Sequence, residues 1–107
     1  MRISGTSWRE DREMRQIVSE VYMFPENLRA KEATLDKQLR KVMEEAGEAW
    51  FAHDKGEGDD RIIEELWDVV QAAEGALRKF PKMGVLKGFA VVRLKGHRRG
   101  DYRGVRE

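Results

Sequence analysis

Two short segments carry side chains that could do chemistry together. Lys41-Val42-Met43-Glu44-Glu45-Ala46-Gly47-Glu48-Ala49 lays over Arg61-Ile62-Ile63-Glu64-Glu65-Leu66-Trp67-Asp68-Val69 with a shift of 20 positions. Basic matches basic, apolar matches apolar, Glu-Glu matches Glu-Glu, and Glu48 matches Asp68. At about 100° per residue, with Glu45 set to zero, Glu48 falls near roughly −60° and the apolar stripe centres near about +90°. Glu65 and Asp68 repeat that arrangement. Each segment thus predicts a helix with a carboxylate pair at i, i+3 on the border of its apolar face. If two such helices pack antiparallel through those faces, the pairs meet at one rim. Converging carboxylates raise each other's pKa and cost stability unless a cation joins them. Oxygen-only donors favour Mg²⁺, Mn²⁺ or Ca²⁺ over zinc or copper. A di-iron bundle needs Glu-x-x-His pairs, which His53 and His97 do not supply. Mg²⁺ keeps several waters and shares its shell with substrate phosphates, so the pattern points to phosphate chemistry. The plainer explanation is a solvated face in which Lys41–Glu45 and Arg61–Glu65 are ordinary i, i+4 ion pairs.

The elements that must position these groups are helical. The chain has 107 residues, enough for one domain, with 21 Lys+Arg against 20 Asp+Glu and a net charge of +1. Near-neutrality argues against a strongly basic nucleic-acid binder and against an acidic disordered tail. The absence of cysteine excludes a disulfide scaffold and a thiolate metal site. No apolar run reaches the roughly 20 residues of a membrane span, and Met1-Arg2-Ile3-Ser4-Gly5 lacks the apolar stretch of a signal peptide. The expectation is a cytoplasmic, all-α single domain over 1–107, a small four-helix bundle with a basic tail from about residue 95. A core of this size favours oligomerisation.

Ser7-Trp8-Arg9-Glu10 fits a capping box for a first helix that carries Met14, Ile17, Val18, Val21 and Tyr22 and closes at Pro25. Glu26 to Lys31 reads as a polar connection. A second helix begins near Thr34, with a stripe of Leu35, Leu39, Val42, Met43, Ala46, Ala49 and Trp50. The glycines and charges of His53 to Gly58 mark a loop. Asp59 or Asp60 caps a third helix, whose stripe is Ile62, Leu66, Val69, Val70, Ala73, Leu77 and Phe80, ended by Pro81. Residues 83–94 suit a helix, although Val91-Val92 and Gly88 also suit a strand. The basic residues that follow lie among glycines and read as a flexible tail.

Glu44-Glu45-Ala46-Gly47-Glu48, followed by Glu65-Leu66-Trp67-Asp68, resembles the E-E-x-x-E … E-x-x-D signature of MazG-like proteins, of the all-α nucleoside triphosphate pyrophosphohydrolase superfamily. Glu65 follows Glu48 by 17 positions, a gap that family accommodates. Lys37-Gln38 and Asp68-Val69-Val70 also look like it. The resemblance covers 34–80 well and the tail weakly. It implies a helical bundle that hydrolyses nucleoside triphosphates to nucleoside monophosphate and pyrophosphate, a housecleaning activity on dNTPs. Glu45, Glu48, Glu65 and Asp68 would be ligands of Mg²⁺, with Mn²⁺ as a substitute. Glu44, together with Glu45, would serve the catalytic step, Glu44 orienting or deprotonating the attacking water. Lys41 would contact substrate. Further substrate contacts would come from the stretch that holds Arg93, His97, Arg98 and Arg99, with Tyr102 beyond, where the family carries a Lys, an Asn and an Arg; Arg93 would hold phosphate, and His97 in place of Asn is a departure. The implied partners are the nucleotide and further copies of the chain, as a dimer or tetramer, with neither membrane nor nucleic acid.

Three tryptophans remain. Trp50 lies on the second stripe and is expected in the core. Trp67 lies opposite the third stripe, which suits a subunit contact or a nucleotide pocket. Trp8 could cover a base. The competing expectation is a non-catalytic helical module that binds nucleotide or nucleic acid, its acidic patch stabilised by metal.

Overall fold

A computed structural model describes residues 21–102. Among these residues all regular structure is helical and no strand occurs. The four helices are α1 (Leu28–Glu32), α2 (Leu35–Asp54), α3 (Asp59–Leu77) and α4 (Lys82–Arg99). No helix among them is long and apolar enough to cross a membrane. The expected first helix, with its Ser7 cap and Trp8, lies outside the described residues, apart from Val21 and Tyr22, which the structure places before α1. The chain divides into two compact units, one over 22–80 and one that contains α4.

Local chemistry accounts for the helix ends. Thr34 caps α2, its Oγ1 accepting from the Lys37 N–H at 3.2 Å. The segment expected as a polar connection instead forms α1, because Asn27 caps it through Oδ1, which accepts from the Ala30 N–H at 3.0 Å. Between α2 and α3 the chain turns through Gly56 and Gly58 at φ +69° and +101°, values that L side chains rarely adopt. Gly58, not an aspartate, is the N-cap of α3. Asp59 and Asp60 occupy the first turn, where their charge complements the helix dipole. Helix α3 ends at Leu77, with Arg78 as C-cap, before Pro81 is reached.

The antiparallel pair α2–α3 forms the body of the first unit. Its seam is read from burial: Gln38, Val42, Glu45, Ala49 and Ala52 face Ile62, Glu65, Val69, Ala72 and Ala76. Steps of three and four residues keep each set on one face. This is not the face that the apolar stripes predicted. Trp50, expected in the core, is 63% exposed, and Met43 is 72% exposed. Leu39, Ile63, Leu66 and Leu77 are exposed as well. The physical reason is side-chain size. Alanines at 49, 52, 72 and 76 let the helix axes approach closely, which rotates the seam by roughly 80° from the centre of the large apolar residues. Because the helices run antiparallel, the unburied apolar flanks come to the same side of the pair. The carboxylates of Glu48 and Asp68 lie toward the other side.

Three side chains in and just after α3 hold the segment before α2. The buried carboxylate of Glu74 accepts from the Met23 and Phe24 N–H groups at 2.7 and 2.9 Å. Arg78 donates to the Phe24 carbonyl at 2.6 Å and lies over the Tyr22 ring at 4.2 Å. The Lys79 ammonium donates to the carbonyls of Ala30, at 2.8 Å, and Ala33, which satisfies acceptors at the end of α1. Gly75 permits this docking. A Cβ there would stand 2.8 Å from the Ala30 Cβ and 2.9 Å from the Gln38 Nε2. Gln38 is itself buried and donates to the Ala72 carbonyl at 3.0 Å.

In the second unit α4 is helical well past the expected boundary, through 95–99, and no strand forms over 83–94. His97, Arg98 and Arg99 fill its last turn, where cations complement the helix dipole. Gly100 closes it at φ +75°, and the Asp101 N–H reaches the Gly96 carbonyl at 2.9 Å. The Tyr102 ring sits where a Cβ on residue 96 would be, 2.6 Å from that position.

Candidate metal centre

Helices α2 and α3 bring Glu45, Glu65 and Asp68 together: one oxygen from each lies within 4.8 Å of the others. Glu45 and Glu65 belong to the buried seam, not to an open rim. They are 9% and 2% exposed. Asp68, three residues beyond Glu65, is half-buried beside them. Glu45 and Glu65 share the antiparallel register in which Gln38 meets Ala72, which is why the repeat converges on itself.

Two resident cations partly neutralise the group. The Lys41 ammonium pairs with a Glu45 oxygen at 3.2 Å, and the Arg61 guanidinium pairs with Glu65 Oε2. Arg61 also donates to Glu64 at 2.5 Å. The i, i+4 pairs that the sequence allowed are therefore both formed. The hydrogen bond and charge of Glu45 hold the Lys41 ammonium above its usual pKa. Glu64, then Glu65, do the same for Arg61. These pairs leave one group unsatisfied. Glu65 Oε1 is buried and has no hydrogen-bond partner. A buried carboxylate oxygen without a donor or cation is costly, and this one belongs to the carboxylate that contributes to the cluster. A three-oxygen donor set with an orphaned buried acceptor fits a hard divalent cation.

The remaining predicted site residues belong to several elements. Glu48 is exposed and outside the three-carboxylate group. The neighbouring charge of Glu45 holds the Glu48 carboxyl above the ordinary carboxylate value. Glu44 is exposed on the same side of α2. Arg93, His97, Arg98 and Arg99 lie on α4 in the second unit. There Arg93 reaches over the Phe89 ring at 5.9 Å, Arg99 pairs with Asp101 at 3.1 Å, and His97 meets Tyr102 edge-on at 4.8 Å. Trp67 is half-exposed and packs edge-to-face on Phe24 at 5.9 Å.

A cavity of about 340 Å³ adjoins the carboxylates, lined by Glu45 and Asp68 among others and by residues of α1. Its lining includes Arg29 and Lys37, which the sequence did not mark as functional. Their i, i+4 relation to Lys41 and Glu45 was readable for Lys37. For Arg29 no sequence signal exists, because α1 and its docking were not foreseen. No protein-family model, curated protein or solved structure matches the chain.

Proposed function

We propose that this chain is a Mg²⁺-dependent nucleoside triphosphate pyrophosphohydrolase of the MazG-like kind. The observation that carries the reading is the convergence of Glu45, Glu65 and Asp68 around a buried, unpartnered Glu65 oxygen. In the reaction water adds across the α–β phosphoanhydride, one bridging P–O bond breaks, and nucleoside monophosphate and pyrophosphate leave. Glu45, Glu65 and Asp68 would hold the cation, with Glu48 beside Glu45 as a fourth carboxylate. Mg²⁺ there would supply charge neutralisation at the phosphates and acidify water. Glu44 would orient the attacking water or take its proton. Arg61 keeps Glu65 in place through its ion pair, and Lys41 does the same for Glu45. Catalysis of this kind is mostly positioning and electrostatic stabilisation.

The exposed apolar side of the α2–α3 pair supports assembly into a dimer or tetramer, since large apolar patches mark interaction surfaces. The test is to incubate pure protein with the common dNTPs and Mg²⁺ and to follow pyrophosphate release. Release that disappears in Asp68→Asn and falls in Glu48→Gln is expected. No release with any nucleotide, or release indifferent to both changes, refutes the catalytic assignment.

A second reading has its own support. The ion pairs of Lys41 and Arg61 show that the cluster is partly satisfied by the chain itself. That would suit a module that binds nucleotide without turnover, or nucleic acid. Stabilisation by Mg²⁺ plus nucleotide with no product distinguishes it.

A further inference from the structure

The cavity beside the carboxylates carries both signs of charge. Glu45 and Asp68 line it together with Lys41, Lys37 and Arg29, with alanines among them. Lys37, Lys41 and Glu45 follow one another at four-residue intervals on α2, so they form a single row with steps of about 6 Å. Arg29 comes from α1, which Lys79 and the Gly75 contact hold against α3. Lys41 is engaged with Glu45. Arg29 and Lys37 make no ion pair with any carboxylate among the described residues. Two unpaired cations lining the same cavity as members of an acidic cluster describe a site for a ligand of mixed demand. One part of that ligand must share the metal, and another must carry negative charge beyond it.

We infer that Arg29 and Lys37 form a phosphate-anion subsite, and that the pyrophosphate portion of the substrate runs from the carboxylates along Lys41 toward them. This rests on the reading of Glu45, Glu65 and Asp68 as the metal centre. The volume suits a pocket for a small ligand. The guanidinium of Arg29 offers a planar fork of donors that matches phosphate oxygens, and Lys37 offers a point charge. A nucleobase in the same place would leave both charges without a counterion.

Isothermal titration calorimetry with inorganic pyrophosphate in the presence of Mg²⁺ tests the subsite directly. Arg29→Gln and Lys37→Gln should each weaken pyrophosphate binding about tenfold, and the double variant about a hundredfold. Arg40→Gln, which alters an exposed cation paired with Asp36 outside the cavity, should leave binding unchanged. Thermal melts of each variant establish that the fold is retained. Binding of a deoxynucleoside without phosphate serves as the second arm. Pyrophosphate affinity unaffected by both substitutions overturns the inference, as does a loss confined to the deoxynucleoside, which would put the base in the cavity. If dNTP hydrolysis proceeds while those substitutions change nothing, the inference fails and the proposed function stands. If no nucleotide is hydrolysed but pyrophosphate binding falls as expected, the subsite stands and the catalytic reading fails.

Discussion

Replacing Glu65 by methionine should make the metal-free protein more stable and deprive it of any response to Mg²⁺. Glu65 is 2% exposed, and its Oε1 has no partner. An unsatisfied buried polar atom costs about 1–3 kcal/mol, more when charged. Methionine has a similar unbranched shape and no such requirement, and apolar replacement of buried charges is often stabilising. The ion-pair partner, Arg61, is half-exposed, so its release leaves no charge stranded in the interior. The expected gain is about 1–3 kcal/mol. In a domain of about 100 residues each kcal/mol moves the melting temperature by roughly 4–8 °C. Calorimetric melts without metal should therefore place Glu65→Met at least about 4 °C above the parent. With Mg²⁺ at a hundred times its Kd the parent gains about 2.7 kcal/mol, and the variant gains none. The order of stabilities closes or reverses when metal is added. A variant that melts lower than the parent without metal shows that the buried carboxylate stabilises the fold. Equal Mg²⁺ shifts in both proteins show that Glu65 is not a ligand. Either result refutes the reasoning.

Two further outcomes follow from the packing and the charges. Gly75→Ala places a Cβ 2.8 Å from Ala30 and 2.9 Å from Gln38, so α1 must shift; a loss of about 1–3 kcal/mol in urea unfolding is expected, and an unchanged midpoint would show that α1 does not pack there. Glu48 has its carboxyl held above the ordinary value by Glu45, so the protonated form favours the fold, and that contribution is lost as pH rises through the raised value. Without metal, Glu48→Gln should escape that loss, its melting temperature pulling ahead of the parent's as pH increases from the acidic side; parallel pH profiles would contradict this.

Much of the arrangement was readable from residue types. Thr34 starts its helix, Gly56 and Gly58 turn the chain, and the i, i+3 carboxylates sit on matching faces because helical spacing fixes their angles. The Lys41–Glu45 and Arg61–Glu65 pairs also follow from spacing alone. Three features did not follow. The capping action of Asn27 was hidden in a polar segment, so α1 was missed. The cations at 95–99 suggested a loose tail, yet cations stabilise the end of a helix, and α4 continues to Arg99. Trp50 was placed inside because it lies on an apolar stripe.

That last error marks the boundary between what each level decides. Sequence periodicity determined that α2 and α3 are helices, where they turn, and which carboxylates share a face. It could not determine which flank of each helix meets the other. Two helices alone cannot bury stripes as broad as these, and the close approach allowed by Ala49, Ala52, Ala72 and Ala76 selected the narrower seam. That choice drew Glu45 and Glu65 from the rim into the contact, left one carboxylate oxygen buried without a partner, and set Arg29 and Lys37 around the same cavity as Glu45 and Asp68. The acidic cluster is a property of the residues; its burial, and with it the orphaned Glu65 oxygen, is a property of the packing.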